Sequence, residues 1–306
     1  MKRGRGYFGL GVAAIALAVI VGSCKDDDNE LPPIDGYNNS DEVASSNLVA
    51  HWTFDDTNNE VISSTAPGTT LGTTSFVTGK LGKALQLNKA AMSYPPITAI
   101  NSVDALNNFT VSQWVKVTNT KKVAGAGFTP FFGIMFKDTD FWGNIQACAE
   151  TGRHLPSSDT LELKNYMSTV TATGAVRGED NVALFNADAK DEAHPNGQTG
   201  KWFLGAKDWV HYVMTWDATT HRFEIYANGE AVGGYTNKGD APIMKMRVPA
   251  MAVVGSMAAD DLGFPNAKRP DFAPLTSFLI DDIRVYNTTL AQKDVTALYN
   301  LGTAGR

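Results

Sequence analysis

Cysteine is nearly absent: Cys24 and Cys148 are the only two in 306 residues. So sparse a supply excludes a disulfide-built scaffold and a structural zinc site of cysteine type. A surplus of positive charge is missing as well. The chain carries 26 basic and 32 acidic residues, a net charge of −6. That balance disfavours nucleic acid and anionic lipid surfaces as partners. Long apolar runs are few. The one near the start, from about Tyr7 to Val21, is diluted by Gly9 and Gly11 and is shorter than the roughly 20 residues that span a bilayer comfortably. No Gly-x-Ser-x-Gly elbow and no His-Glu-x-x-His helix occurs, so two common hydrolytic signatures are missing.

What is present begins with an export layout. Lys2, Arg3 and Arg5 precede the apolar run, and Val21-Gly22-Ser23-Cys24 closes it with small residues. That tetrapeptide resembles a bacterial lipobox, which implies acylation of Cys24 and removal of residues 1–23. An ordinary signal peptide or an uncleaved anchor is the plain alternative. Loss of Lys2, Arg3 and Arg5 would take the net charge to about −9. With Cys24 acylated, Cys148 has no partner for an intrachain disulfide. Lys25-Asp26-Asp27-Asp28 resembles the export tag of surface lipoproteins in Bacteroidetes, although any solvated acidic arm would read the same way. Residues 24–46, polar and carrying Pro32-Pro33 and Asn38-Asn39-Ser40, read as a disordered acidic tether. The expectation is a lipid-anchored protein of the outer membrane, facing the cell exterior, with the membrane as a partner through Cys24.

Residues 47–306 read as one all-β domain, within the size that such domains reach without splitting. Leu48, Ala50, Trp52 and Phe54 alternate on one face of a strand. Phe109, Val111, Val115 and Val117 do the same, with Trp114 on the opposite face. Trp209 to Asp217 and His221 to Ala227 make two more strands, and Asn228-Gly229 suits a two-residue hairpin because both turn positions need positive φ. Phe278 to Tyr286 makes the last strand. Val295, Leu298 and Leu301 recur at helical spacing over Leu290 to Leu301, with Gly302 placed as a C-cap. The pattern predicts a two-sheet antiparallel sandwich with one short C-terminal helix.

Four segments, in order, resemble laminin-G-like domains: Gly79-Lys80-Leu81-Gly82-Lys83-Ala84-Leu85, Phe109-Thr110-Val111-Ser112-Gln113-Trp114-Val115, Trp209-Val210-His211-Tyr212 with Ile225-Tyr226-Ala227-Asn228-Gly229, and Ile280-Asp281-Asp282-Ile283-Arg284-Val285-Tyr286-Asn287. The resemblance implies a concanavalin A-like jelly roll of the lectin and glucanase superfamily. Two departures stand out. Phe278 occupies the place of a glycine usual before the closing Ile-Asp-Asp, and the stretch from about Lys121 to Lys207 is longer than the family needs. It contains plausible strands, Phe131 to Phe136 and Val182 to Phe185, and so is partly framework; its excess is expected to form long loops on one rim or face, where specificity resides.

The aromatic residues divide between core and candidate site by their surroundings in the sequence. Trp52, Trp114, Trp209 and Trp216 lie on strand patterns and read as core. Trp142 and Trp202 lie in loop-like surroundings and are candidate sugar platforms, with Asp140 and Asn144 placed to bond hydroxyls and Tyr166 as a third aromatic; loop plugs onto the sheet are the alternative. The glucanase branch of the superfamily uses a Glu-x-Asp-x-x-Glu run, and its alginate-lyase branch a charged strand with Gln-x-His; neither occurs here. His211 is expected to be structural, and nothing near His154 or His194 marks a base. Laminin-G-like domains often hold calcium, which implies Asp55 and Asp281 as a structural site joining the chain's ends; strand-end aspartates capping backbone amides would look the same. The expected function is binding of a glycan, specifically a polysaccharide, without cleaving it. The alternatives are an adhesin that binds a surface protein, and a glycan-cleaving enzyme with an atypical carboxylate pair.

Overall fold

The computed structural model describes residues 31–123, 127–170, 176–182, 199–200, 203–235 and 245–306. Cys24 and Trp202, as well as His194, lie outside the described residues. Residues 1–32 form a separate unit, and the folded domain runs from Pro33 to Arg306. Among the described residues no helix is long and apolar enough to cross a membrane.

The strands, in chain order, are β1 (Leu48–Trp52), β2 (Thr69–Thr78), β3 (Lys83–Tyr94), β4 (Phe109–Lys116), β5 (Thr129–Met135), β6 (Ile145–Ala149), β7 (Leu163–Val170), β8 (Val176–Val182), β9 (Thr199–Gly200), β10 (Val210–Asp217), β11 (Arg222–Ala227), β12 (Glu230–Tyr235), β13 (Lys245–Met246), β14 (Met251–Val254) and β15 (Phe278–Tyr286), followed by helix α1 (Gln292–Thr303). They pair in the order β13-β7-β6-β5-β14-β3-β15-β4-β10-β11-β12-β9, with β1 on β15, β2 on β3 and β8 on β7. The chain therefore folds as an all-β concanavalin A-like jelly roll with one C-terminal helix.

Strand β3 lets the ladder curl. Its first half pairs with β15 through Leu85–Leu87 and its end pairs with β14 through Met92–Tyr94. The two halves of the ladder then face each other. Asn165 of β7 donates to the Glu224 carbonyl of β11 at 3.1 Å, and the Tyr212 hydroxyl of β10 donates to the Lys164 carbonyl of β7 at 2.7 Å. Between them lie fully buried Trp52, Phe131, Phe132, Tyr94 and Tyr212. Each such side chain contributes about 1.5–3 kcal/mol by leaving water.

The expected strands are present. Asn228 and Gly229 take φ of 51° and 81° and close the β11–β12 hairpin. Phe54 has left β1, at φ 56°, yet still reaches the core, whereas a register shift between Leu48 and Ala50 turns Leu48 toward the helix side.

Three expectations need correction. Gly302 is not a cap: it lies inside α1, because the helix presses it onto Trp114, and Gly305, at φ 72°, takes the left-handed position beyond the end. The polar arm is ordered from Ile34 onward. Val43 is fully buried, the Tyr37 hydroxyl donates to Asp294 at 2.9 Å, and residues 34–46 pack beside α1. Finally, the described part of 121–207, expected to be part framework and part long loops, supplies more framework than expected, β5 through β9. The long cover is the segment 255–277, whose Ala258, Leu262, Phe264 and Ala267 pack on Met135 of β5 and Val253 of β14.

Candidate functional site

Between β5 and β6 the chain makes a tight loop that ends on Trp142. The Trp142 amide donates to the Asp140 carboxylate at 2.9 Å, a side-chain turn that pre-sets the backbone. Gly143 then turns at φ 77°, where a Cβ would stand 2.1 Å from the Met135 sulfur, so only glycine fits. Asn144 anchors the loop: its amide donates to the Arg247 carbonyl at 2.8 Å and the residue is fully buried. That takes Asn144 out of the set able to reach a ligand, contrary to the expectation from its position. It supports the loop instead.

Held this way, Trp142 meets aromatic residues from three distant segments. It stacks on Tyr166 of β7 at 4.8 Å between ring centroids and 28° between planes, and meets Phe128 edge-on at 5.8 Å. Phe141 lies at 5.5 Å and Phe272, from the covering segment, at 6.3 Å. Phe272 is 44% exposed, and Trp142, Tyr166 and Phe141 are half-buried. Below them the Lys164 ammonium sits 5.7 Å from the Trp142 ring and 5.5 Å from Phe128, and it pairs with Glu150 at 3.2 Å. Exposed Asp140 borders the patch and also lines, with Phe141, Arg269 and Asp271, an adjoining groove of about 440 Å³. An aromatic surface beside carboxylate and cationic groups suits a ligand with apolar C–H faces and a hydroxyl periphery. Trp142, Asp140 and Tyr166 come together here. Phe128 and Phe272 were missed, because nothing local links residues that far apart in the chain.

The expected metal pair converges at a different place, the turn between β2 and β3. Asp281 Oδ2 accepts from the Lys80 and Leu81 amides at 2.7 and 2.9 Å, and Asp55 Oδ1 accepts from the Lys83 amide at 2.7 Å. A Cβ on Gly79 would lie 2.5 Å from Asp281 Oδ2, and one on Gly82 2.3 Å from Asp55 Oδ1. The two glycines of the Gly-x-x-Gly segment are thus required by the approach of the two carboxylates. Asp281 is fully buried and its Oδ1 has no partner among the described residues. Burial pushes its carboxyl up to about 7, helped by Asp282 and Asp55 and opposed by the Leu81 and Lys80 amides. An orphaned buried oxygen next to a second carboxylate fits a cation. Among the described residues no group of three or more histidine, cysteine or acidic side chains gathers around a metal position, so most of the six to eight oxygens that calcium takes would be carbonyls and water.

A bulge between Asp281 and Arg284 separates the two adjacent aspartates. Asp282, at φ 48°, points into a small cleft of about 180 Å³ and meets His51 Nε2 at 2.7 Å and Arg284 Nε at 3.0 Å. Burial alone would raise its carboxyl, but Arg284 and His51 outweigh burial and hold it well below the usual range. Arg284 continues to Asp41 of the docked arm at 2.8 Å. His211 is structural: Ser112 Oγ meets its Nε2 at 2.8 Å, and burial pushes it down to about 3, so the ring is neutral. His154 pairs with Glu162 at 2.7 Å.

The family model for the concanavalin A-like lectin/glucanases superfamily of the laminin-G type matches residues 88–296. No curated protein matches the chain. Among solved structures, the binding domain of Paraclostridial Mosquitocidal Protein 1 is 15% identical with a TM-score of 0.53, covering 83% of this chain and 52% of that one. The binding domain of botulinum neurotoxin serotype G is 11% identical with a TM-score of 0.51, covering 83% and 51%. Domain 4 of AbnA, an extracellular arabinanase from Geobacillus stearothermophilus solved with arabinotriose, is 22% identical with a TM-score of 0.49, covering 83% and 98%. The chain spans about half the length of the two toxin binding domains, and at these identities the likeness concerns the fold.

Proposed function

The chain belongs to the laminin-G-like family of the concanavalin A-like lectin/glucanase superfamily, and from that premise we propose that its carbohydrate-binding-type domain binds a polysaccharide without cleaving it. The observation that carries this reading is the Trp142–Tyr166–Phe272 surface, bordered by Asp140. Three segments of the chain converge to build it, and Phe272 remains exposed at its edge. Sugar rings present a face of C–H groups that packs on such a surface, and a polymer presents many of them.

Affinity electrophoresis of the protein lacking residues 1–30, through gels containing plant, host and microbial polysaccharides, tests the proposal. At least one polysaccharide class is expected to retard it. Phe272→Ala and Trp142→Ala should each weaken retention about tenfold, with Phe272→Ala leaving the melting temperature unchanged. No retardation in any gel would sink glycan binding and turn attention to protein partners. Release of reducing sugar would overturn binding without cleavage.

The proposal extends to location and to a metal. The lipobox-like Val21-Gly22-Ser23-Cys24 supports acylation at Cys24 and display on the exterior of the outer membrane. Metabolic labelling with a fatty acid should mark the native chain and not Cys24→Ser; equal labelling of both would refute it. Asp55 and Asp281 are proposed to hold a structural calcium ion, with Asp281 Oδ1 as the oxygen without a partner among the described residues.

A further inference from the structure

Two residues beyond Phe272, Pro274 begins one wall of a second cleft, of about 530 Å³. The facing wall is Val117 to Thr120, just past β4, and Thr129 adjoins it, one residue from Phe128 of the aromatic cluster. Consecutive Cα atoms lie about 3.8 Å apart, so the cleft starts within a short step of that cluster along two separate stretches of chain.

Its polar groups are held in place by the surrounding chain. Asn119 is 99% buried, and its amide nitrogen donates to the Thr160 and Ser158 carbonyls at 2.7 and 3.3 Å. Those two bonds fix the amide's orientation and leave Asn119 Oδ1 buried without a partner among the described residues. Across the cleft, Thr276 Oγ1 is in the same condition. Both atoms are enclosed, so they set a polar edge to the cleft, and the case for an occupant rests on its volume and neutral lining. A single water would satisfy one such atom, but the space is many times the volume of a water and lies within the range of ligand pockets. The hydroxyls of Thr120 and Thr129, both bonded to Thr151 Oγ1 at 3.0 and 2.9 Å, add further polar edge. Apolar wall comes from Val117, Pro274 and Leu275. Among the described residues no carboxylate lines the cleft, and Lys89 is the one charged residue in its lining. Amide, hydroxyls and apolar walls with almost no charge match a neutral polyol.

We propose that this cleft is a second, neutral-sugar subsite that continues the path of one polysaccharide chain from the Trp142–Phe272 surface. The inference rests on the glycan-binding reading of that surface. Isothermal titration of the protein lacking residues 1–30, which keeps the whole folded unit, tests it with neutral oligosaccharides of two to eight sugars cut from arabinan, xylan, mannan and β-glucan. Wild-type affinity is expected to rise with length. Thr276→Val, which removes only the hydroxyl, should weaken the longer oligosaccharides about threefold to tenfold and leave the shortest binder unchanged. Leu275→Trp, which fills the cleft, should abolish the dependence on length, whereas Phe272→Ala weakens short and long alike. A length dependence that survives both cleft variants overturns the second subsite while the glycan reading stands. Absence of binding at every length by the wild type overturns both.

Discussion

At the scale of single residues, close approach explains positions that composition leaves ambiguous. Trp114 projects from the outer face of β4, where α1 covers it. His211 lies 4.9 Å away, Tyr299 stacks at 5.9 Å, and the Lys80 ammonium stands 5.0 Å above the ring. Gly302 completes this box, since a Cβ there would meet Trp114 Cζ2 at 2.7 Å and Nε1 at 2.8 Å. Helix propensity favours alanine over glycine by about 1 kcal/mol, but overpacking against an indole held on its other sides costs about 1–3 kcal/mol. The second effect wins. Gly302→Ala should therefore lower the melting temperature, and pairing it with Trp114→Leu should recover part of the loss. A Gly302→Ala protein that melts higher than the wild type would show that α1 does not press on Trp114.

At the scale of elements, legibility followed the range of the interaction that makes each element. The hairpin at Asn228-Gly229, the alternation of β4 and the closing β15 depend on neighbours in sequence, and their residues announce them. The docking of residues 34–46 does not. That stretch is polar overall, but docking requires only a few contacts: buried Val43, the Tyr37 hydroxyl on Asp294, Asn300 on Asp35 at 2.7 Å and Arg284 on Asp41. Average polarity hides a single buried face. The covering segment 255–277 is similar, an irregular stretch whose Leu262 and Phe264 have no periodicity to show which surface they meet. The candidate site divides along the same line. Trp142 and Asp140 were legible because a tryptophan in a polar loop stands out locally. Phe128 and Phe272 join them only through folding, and the orphaned atoms of Asn119 and Thr276 become informative only once burial is known.

At the scale of the whole molecule, the closing strand sets how stability responds to protons. Its bulge sends two adjacent carboxyls to opposite extremes. Asp282 is held ionised by Arg284 and His51, and its contribution is lost only as pH falls below the ordinary carboxylate range. His211, pushed down to about 3, contributes stability above its ordinary value, lost as pH falls from about 6.5 toward 3. Asp281 runs the other way. Its folded-state value of about 7 lies above that of the unfolded chain, so its contribution is complete below about pH 4 and is lost as pH rises to about 7. A cation at Asp55 and Asp281 would take the place of that proton and restore stability in the upper window. In EDTA, Asp281 should therefore remove about 2–4 kcal/mol of stability across the rise from pH 4 to 7, fastest near pH 5.5. His211 offsets it up to about pH 6.5, so the difference between wild type and Asp281→Asn reads the Asp281 part. Calcium at pH 8 should return most of it and have little effect at pH 5, where the carboxyl is protonated. Asp281→Asn, which keeps an acceptor for the Lys80 and Leu81 amides but cannot ionise, should lose both the decline in EDTA and the response to calcium. Denaturant melts at pH 5, 6.5 and 8, in EDTA and in calcium, distinguish the parts. Superimposable curves in EDTA and calcium at pH 8 would remove the metal site and leave the two aspartates as caps of the Gly79–Lys83 turn. A decline in EDTA that persists in Asp281→Asn would assign the titration to another group.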